Sequence, residues 1–209
     1  QEVIDSKRFE FMNDSINNVY AYRNFSYIEK MARHEYVSSL YVYDLKEGRS
    51  DLFFKNLASC ECVIAEGRKA SIYSGMGQDL DIRSKNWFET PAGSATEYVN
   101  KYMRGTQIPL LKLSEMYLIA AEASGDIRYL ETLRANRGYA TDPLPAGANL
   151  QDEITKEYQK EFIAEGQLFY YYKRRNMAIL PITSTSMNRA TYVLPVPDNE
   201  LEFGNFKQN

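Results

Sequence analysis

Apolar positions along this chain gather into a few periodic runs separated by polar or irregular stretches. From Ser15 to about Arg33, Ile16, Val19, Tyr20, Tyr27, Ile28 and Met31 roughly keep helical spacing, and Asp14 or Ser15 can cap the start, so a helix is predicted there. Tyr36 to Tyr43 is short and rich in Tyr, Val and Leu, and the polar stretch Asp44 to Ser50 follows it; the pair predicts a strand and a turn. Residues 59–105 carry scattered glycines and polar clusters but no long periodic run. They are expected to be mostly irregular, with short elements.

The pattern sharpens at Ile108. Leu111, Met116, Ile119, Ala120 and Ala123 form a helical stripe, Pro109 suits an early helical position, and Gly125 ends the run. Asp126 can cap a second helix, with Ile127, Leu130 and Leu133 on one face and Gly138 at its end, so the two helices predict a hairpin. After a loop over 139–149, Ile154, Tyr158 and Phe162 recur every fourth residue, which predicts a helix from near Leu150 to about Gly166 or on through Tyr172. Tyr192 to Pro197 is expected to be extended, because each proline pushes its predecessor out of the helical region. The fold class expected is mainly α: packed helix hairpins, long irregular loops and a few short strands. It reads as one unit over 1–209, loop-rich over 1–107 and helical over 108–209.

Composition narrows the functions. A hydrophobic fraction of 44% with 25% charged residues belongs to a globular chain rather than a disordered one. A formal charge of −3 with mixed signs leaves no basic stripe for nucleic acid and no polybasic face for lipid head groups. No apolar run approaches the roughly 18 residues a membrane span needs, and Gln1-Glu2-Val3 is not the start of a signal peptide, so any export signal is expected to have been removed. Cys60 and Cys62 would point to opposite faces of an extended segment, which argues against a mutual disulfide. With His34 the sole histidine and no CxxC pair, the ligand set for a structural zinc is missing, and no metal is expected.

Candidate chemistry is sparse. Glu153, Glu157, Glu161 and Glu165 share one helix face. Glycoside hydrolysis needs two carboxylates straddling the bond, and four in a row on a helix straddle nothing. Nearby cations are Arg134, Arg137, Lys173, Arg174 and Arg175, so Glu161 or Glu165 is expected to pair with Arg134 or Arg137 between packed helices. His34 lies in Met31-Ala32-Arg33-His34-Glu35, which carries no triad signature, and no GxGxxG, P-loop or HExxH occurs. No enzyme and no cofactor is expected. The chain is rich in aromatics, with 17 tyrosines, ten phenylalanines and one tryptophan, and aromatic rings serve both sugar faces and cores. Tyr170-Tyr171-Tyr172 would point in three directions on a helix and is read mainly as core. Trp87, with Asp81, Arg83 and Asn86 close by in sequence, is the candidate ligand contact; packing in the core is the plainer use of the same ring.

Four segments carry a resemblance. Ile108-Pro109-Leu110-Leu111-Lys112-Leu113-Ser114-Glu115-Met116-Tyr117-Leu118-Ile119-Ala120-Ala121-Glu122-Ala123 resembles the "ipllRlaEvyLiyAEA" helix of the SusD/RagB family, and Leu130 to Gly138 resembles its "lNxvRaRaG" segment. Glu153 to Gln167, with Glu157, Glu161 and Glu165, is similar to "eiikERriELafEGqR", continued by Tyr172-Lys173-Arg174-Arg175, and Leu194-Pro195-Val196-Pro197 is similar to the closing "lPIP". Upstream, Asp81-Ile82-Arg83 with Trp87-Phe88 resembles "D.R...wf", and Val99 to Tyr102 resembles "..Ky". Lys112 stands where the family usually has arginine, and no tryptophan follows Arg175.

The resemblance implies the C-terminal portion of a SusD-like, tetratricopeptide-related protein. It further implies capture of an oligosaccharide at the cell surface, without catalysis, and its delivery to a SusC-like TonB-dependent transporter of the outer membrane. The membrane link would be a lipid anchor that this chain does not contain. The alternative is a helical interaction module that docks the transporter and has no glycan site of its own.

Overall fold

In the structure, a computed structural model, the described residues are 1–11, 35–41, 63–73, 80–90, 93, 95–99, 101, 107–139, 142–193, 195–197, 200, 202 and 204. The helix expected over 15–33, and with it His34, Cys60 and Cys62, lies outside them. Two compact units are distinguished, Gln1–Glu165 and Gly166–Asn209. Among the described residues the architecture is mainly helical with a few short strands.

The first unit opens with a single helical turn, α1 (Glu2–Asp5), followed by Phe11, which is buried with its ring 4.9 Å from that of Tyr117. Strand β1 (Tyr36–Tyr41) pairs antiparallel with β5 (Gln107–Lys112), Tyr36 opposite Lys112 and Tyr41 opposite Gln107, with irregular register near Ser38. This corrects the expected helix start at Ile108. Pro109 can open a helix, but it also disfavours helical backbone at the residue before it, and that second effect prevails here. Ile108 stays extended opposite Leu40, and the helix begins only after Lys112.

Between the paired strands lie short elements: β2 (Val63–Ile64), α2 (Arg68–Ile72), α3 (Ile82–Asn86), β3 (Phe88–Glu89) and β4 (Glu97–Val99). The strands form a small antiparallel sheet in the order β2-β4-β3. Tyr73 meets Phe88 edge-on at 5.7 Å, and its hydroxyl donates to the carbonyl of Lys160 at 3.0 Å, which ties this sheet to the helices.

The helical part follows its sequence signals closely. Helix α4 (Leu113–Ser124) ends at Gly125, whose φ of 70° is the left-handed cap a glycine accepts readily. Asp126 caps α5 (Ile127–Arg134) by accepting from the Arg128 amide at 3.0 Å. Chain continues through a wide helical turn at Ala135–Tyr139, where Gly138 has a φ of 105°. Asn149 caps α6 (Leu150–Glu161) with bonds from the Gln151 and Asp152 amides at 2.9 and 3.1 Å. Leu113, Leu118, Ala121, Leu130, Leu133, Ile154, Tyr158 and Phe162 are buried, and α4 packs on both α5 and α6.

Helix α6 stops at Glu161, five residues short of the expected Gly166. The Glu161 carbonyl is taken by the ammonium groups of Lys101 and Lys112, so it does not need a following helical amide. Ala164 (φ 61°) and Gly166 (φ 75°) then turn the backbone through left-handed conformations before the next helix.

The second unit holds α7 (Gln167–Arg174), on which Tyr170 is exposed while Tyr171 and Tyr172 are buried. Phe169 lies 5.8 Å from Tyr192, whose hydroxyl donates to the Met177 carbonyl at 2.8 Å. Tyr192 and Val193 belong to a turn rather than to the extended tail expected. Asn188 and Thr191 exchange side-chain and backbone hydrogen bonds, and the Tyr192 amide donates to the Asn188 carbonyl at 3.2 Å, which curls the chain upstream of Pro195.

Candidate functional site

The polar feature that dominates the first unit starts from a three-residue motif. Asp81 caps α3 by accepting from the Arg83 amide at 2.9 Å, and its carboxylate also takes the Arg83 guanidinium at 3.0 and 2.8 Å. Both side chains are fully buried. Arg83 reaches on to Glu157 at 2.8 Å and to Glu161 at 3.1 Å, which stand one helical turn apart on α6.

The α4–α5 hairpin supplies the opposite wall. Arg137 bonds Glu161 at 3.0 Å and Glu35 at 2.7 Å, and Arg134 approaches Glu157 at 3.4 Å. Lys160 closes on Glu157 at 3.0 Å. Lys112 meets Glu165 at 2.7 Å, and Lys101 also pairs with Glu165. Most of these cations lie over a ring as well: Lys101 over Trp87 at 4.0 Å, Lys112 over Phe162 at 4.4 Å, Arg134 over Tyr139 at 4.5 Å and Arg137 over Phe11 at 5.4 Å.

Electrostatics follow from this packing. Burial alone would raise the Glu157 carboxyl, but Arg83, Lys160 and Arg134 outweigh it and bring it down to about 2. Glu161 is likewise buried, yet Arg137, Lys112 and Arg83 hold it well below the usual carboxylate range. Glu165 is lowered against its burial by Lys101 and Lys112. Lys101 goes the other way: burial brings its ammonium down to about 7 despite Glu165. Burial and the Asp81 carboxylate raise the Tyr139 hydroxyl.

These carboxylates are locked in the ionised state by fixed cations, whereas a general acid at neutral pH needs its pKa raised. Glu157 and Glu161 lie side by side on Arg83 rather than across a cleft from each other. No group of three or more His, Cys, Asp or Glu side chains placed to hold a metal ion is found among the described residues.

Of the residues singled out in the sequence, Asp81, Arg83 and Trp87 are fully buried within this network. Asn86 is half-buried and donates to the Ile82 carbonyl at 2.8 Å. Arg137 does pair with Glu161, whereas Arg134 pairs with Glu157, and Glu165 is served by the two lysines. Pattern reasoning missed Glu35, Lys101 and Lys160 as members. Each reaches the network through tertiary packing; Lys101 stands in the short Val99 to Tyr102 match, but nothing there pointed to Glu165 as its partner. No family model matches the chain, and no curated protein or solved structure matches it either.

Proposed function

We propose that this chain belongs to a SusD/RagB-like surface protein that binds an oligosaccharide without chemical turnover and passes it to a SusC-like TonB-dependent transporter in the outer membrane. The observation that supports the reading is where the charged motif positions go. Asp81, Arg83, Lys101, Lys112, Arg134, Arg137, Glu157, Glu161 and Glu165 all belong to the segments that resemble the family, and all meet in one buried network. Residues so far apart in sequence gain a common rationale if the segments form one structural unit. In this reading Asp81, Arg83 and Trp87 hold the scaffold together, and a sugar meets exposed rings instead. Tyr41 on β1 and Tyr170 on α7, at 65% and 69% exposure, are such rings, each in its own unit. Outer-membrane attachment would be through a lipid; no helix of the described residues is long and apolar enough to cross a membrane.

The test is calorimetric titration against a panel of neutral and acidic oligosaccharides, with Tyr41→Ala and Tyr170→Ala as variants. Saturable binding weakened by either variant supports the reading. Absence of binding across the panel, or turnover of any glycan abolished by one Glu→Gln change, overturns it.

A second reading, a module that docks the transporter and has no glycan site of its own, is favoured by one feature. Leu40 and Tyr41 on β1 and Leu110 and Leu111 on β5 are all more than 40% exposed, an unusual number of open apolar side chains for one two-stranded ribbon. Co-purification with the transporter that is lost in Leu110→Asp, with no glycan binding, would favour it.

A further inference from the structure

Charge is unevenly shared along the chain. Its formal total is −3, yet residues 166–197 contain four cations, Lys173, Arg174, Arg175 and Arg189, and no Asp or Glu; acidic residues return at Asp198. All four cations are exposed, and all belong to the second unit. Three of them gather at the end of one helix, since α7 runs to Arg174 and Arg175 caps it.

The same helix carries the exposed ring of Tyr170. Lys173 and Arg174 follow it by three and four residues, the spacing that makes neighbours on a helix surface, with Cβ atoms roughly 5–6 Å apart. Long side chains on a helix lean toward its N-terminus, which brings both cationic arms back over the turn that holds Tyr170. Arg174 shows this lean: its guanidinium lies 5.5 Å from the ring centre of the buried Tyr171, one turn back. Phe169 meets the Tyr170 ring edge-on at 5.8 Å. The dipole of α7 favours cations at this end, which accounts for the charges but not for an open aromatic ring beside them.

A ring flanked by two cations has a defined complement. The ring covers the apolar face of a sugar, a guanidinium takes two oxygens of a carboxylate or sulfate through parallel N–H donors, and an ammonium adds a point charge. A neutral sugar would use the ring alone. We propose that Tyr170, Lys173 and Arg174 form a subsite for an acidic oligosaccharide, one that carries carboxylate or sulfate groups. This rests on the chain binding a glycan at all and adds the substrate class.

The experiment is calorimetric titration of the whole chain with oligosaccharides of galacturonate, hyaluronan and chondroitin sulfate. Each is run beside its uncharged form, carboxyl-reduced and, where sulfated, desulfated, at about 0.05 and 0.5 M salt. At low salt at least one acidic member should bind about tenfold more tightly than its uncharged form, and the preference should shrink at high salt. Lys173→Gln with Arg174→Gln should remove it. Both positions are exposed, so this variant should keep the parent's circular dichroism; if it does not, the two single changes carry the same test. Equal binding of charged and uncharged forms, or a preference that survives the variant, overturns the subsite and leaves glycan binding standing. Absence of binding by every member overturns both. Tighter binding to phosphatidylglycerol vesicles than to any acidic member, lost in the same variant, overturns the subsite in favour of a membrane surface.

Discussion

Arg137 holds Glu35 with both terminal nitrogens at once, Nη1 to Oε1 and Nη2 to Oε2, each at 2.7 Å. Two further donors go to Glu161, Nε at 3.1 Å and Nη2 at 3.0 Å. One guanidinium therefore joins β1's leading edge, the α4–α5 hairpin and α6. Arg137→Ala would take this guanidinium from two buried carboxylates and is expected to cost about 3–5 kcal/mol in denaturant unfolding. Arg137→Lys should recover only part of this, since an ammonium cannot reproduce the planar fork. A loss under about 1 kcal/mol for the alanine variant would mean that water reaches the site.

Acid should dismantle the network in a defined window. Glu157 is held at about 2 in the folded chain against an ordinary 4.5, so its contribution is full above 4.5 and is lost as pH falls toward 2. That interval corresponds to roughly 3 kcal/mol. Glu161 and Glu165 are depressed in the same direction and add to the loss. Urea midpoints measured at descending pH should fall through this range, and Glu157→Gln should start lower and show a shallower slope.

Gly138 should be the least replaceable glycine of the helical part. Its φ of 105° is left-handed, and a Cβ there would run into the carbonyl of Leu80. Gly138→Ala is expected to cost more than about 1 kcal/mol from backbone strain alone, with the clash on top. Gly147, at φ 83° but with open space where a Cβ would go, provides the comparison. Its alanine variant should lose only the strain, and equal thermal midpoints for the two would show that Leu80 moves aside.

Asn149→Ala removes the acceptor for the Gln151 and Asp152 amides at the start of α6. The expected cost is about 1 kcal/mol, with Asn149→Asp close to neutral or better because the helix dipole favours an anion there. Chemical unfolding of both variants checks the order.

What the sequence revealed depended on the range of the signal. Gly125, Asp126 and the Ile154-Tyr158-Phe162 spacing act within one helical turn, and the structure follows them. Pro109 carries two local signals of opposite sense, and pairing with β1, some seventy residues away, selects the extended one. The stop of α6 at Glu161 was unreadable because Lys101 and Lys112, far upstream, take the carbonyl that would have continued the helix. A glutamate stripe among apolar residues told that cations would be needed. It did not tell which, since Arg83 and Lys101 arrive from a stretch without periodicity.

The order of charges along the chain has a consequence for synthesis. Arg83, Lys101, Lys112, Arg134 and Arg137 leave the ribosome before Glu157, Glu161 and Glu165, the anions they surround. Arg83, Arg137 and Arg134 have Asp81, Glu35 and Asp142 upstream of α6, but until the end of α6 has emerged, burying Lys101 and Lys112 would cost several kcal/mol each for want of Glu161 and Glu165. The surroundings of these two lysines are therefore kept from closing before that helix is available. Closure of the first unit around them should come late, once Glu165 clears the exit tunnel.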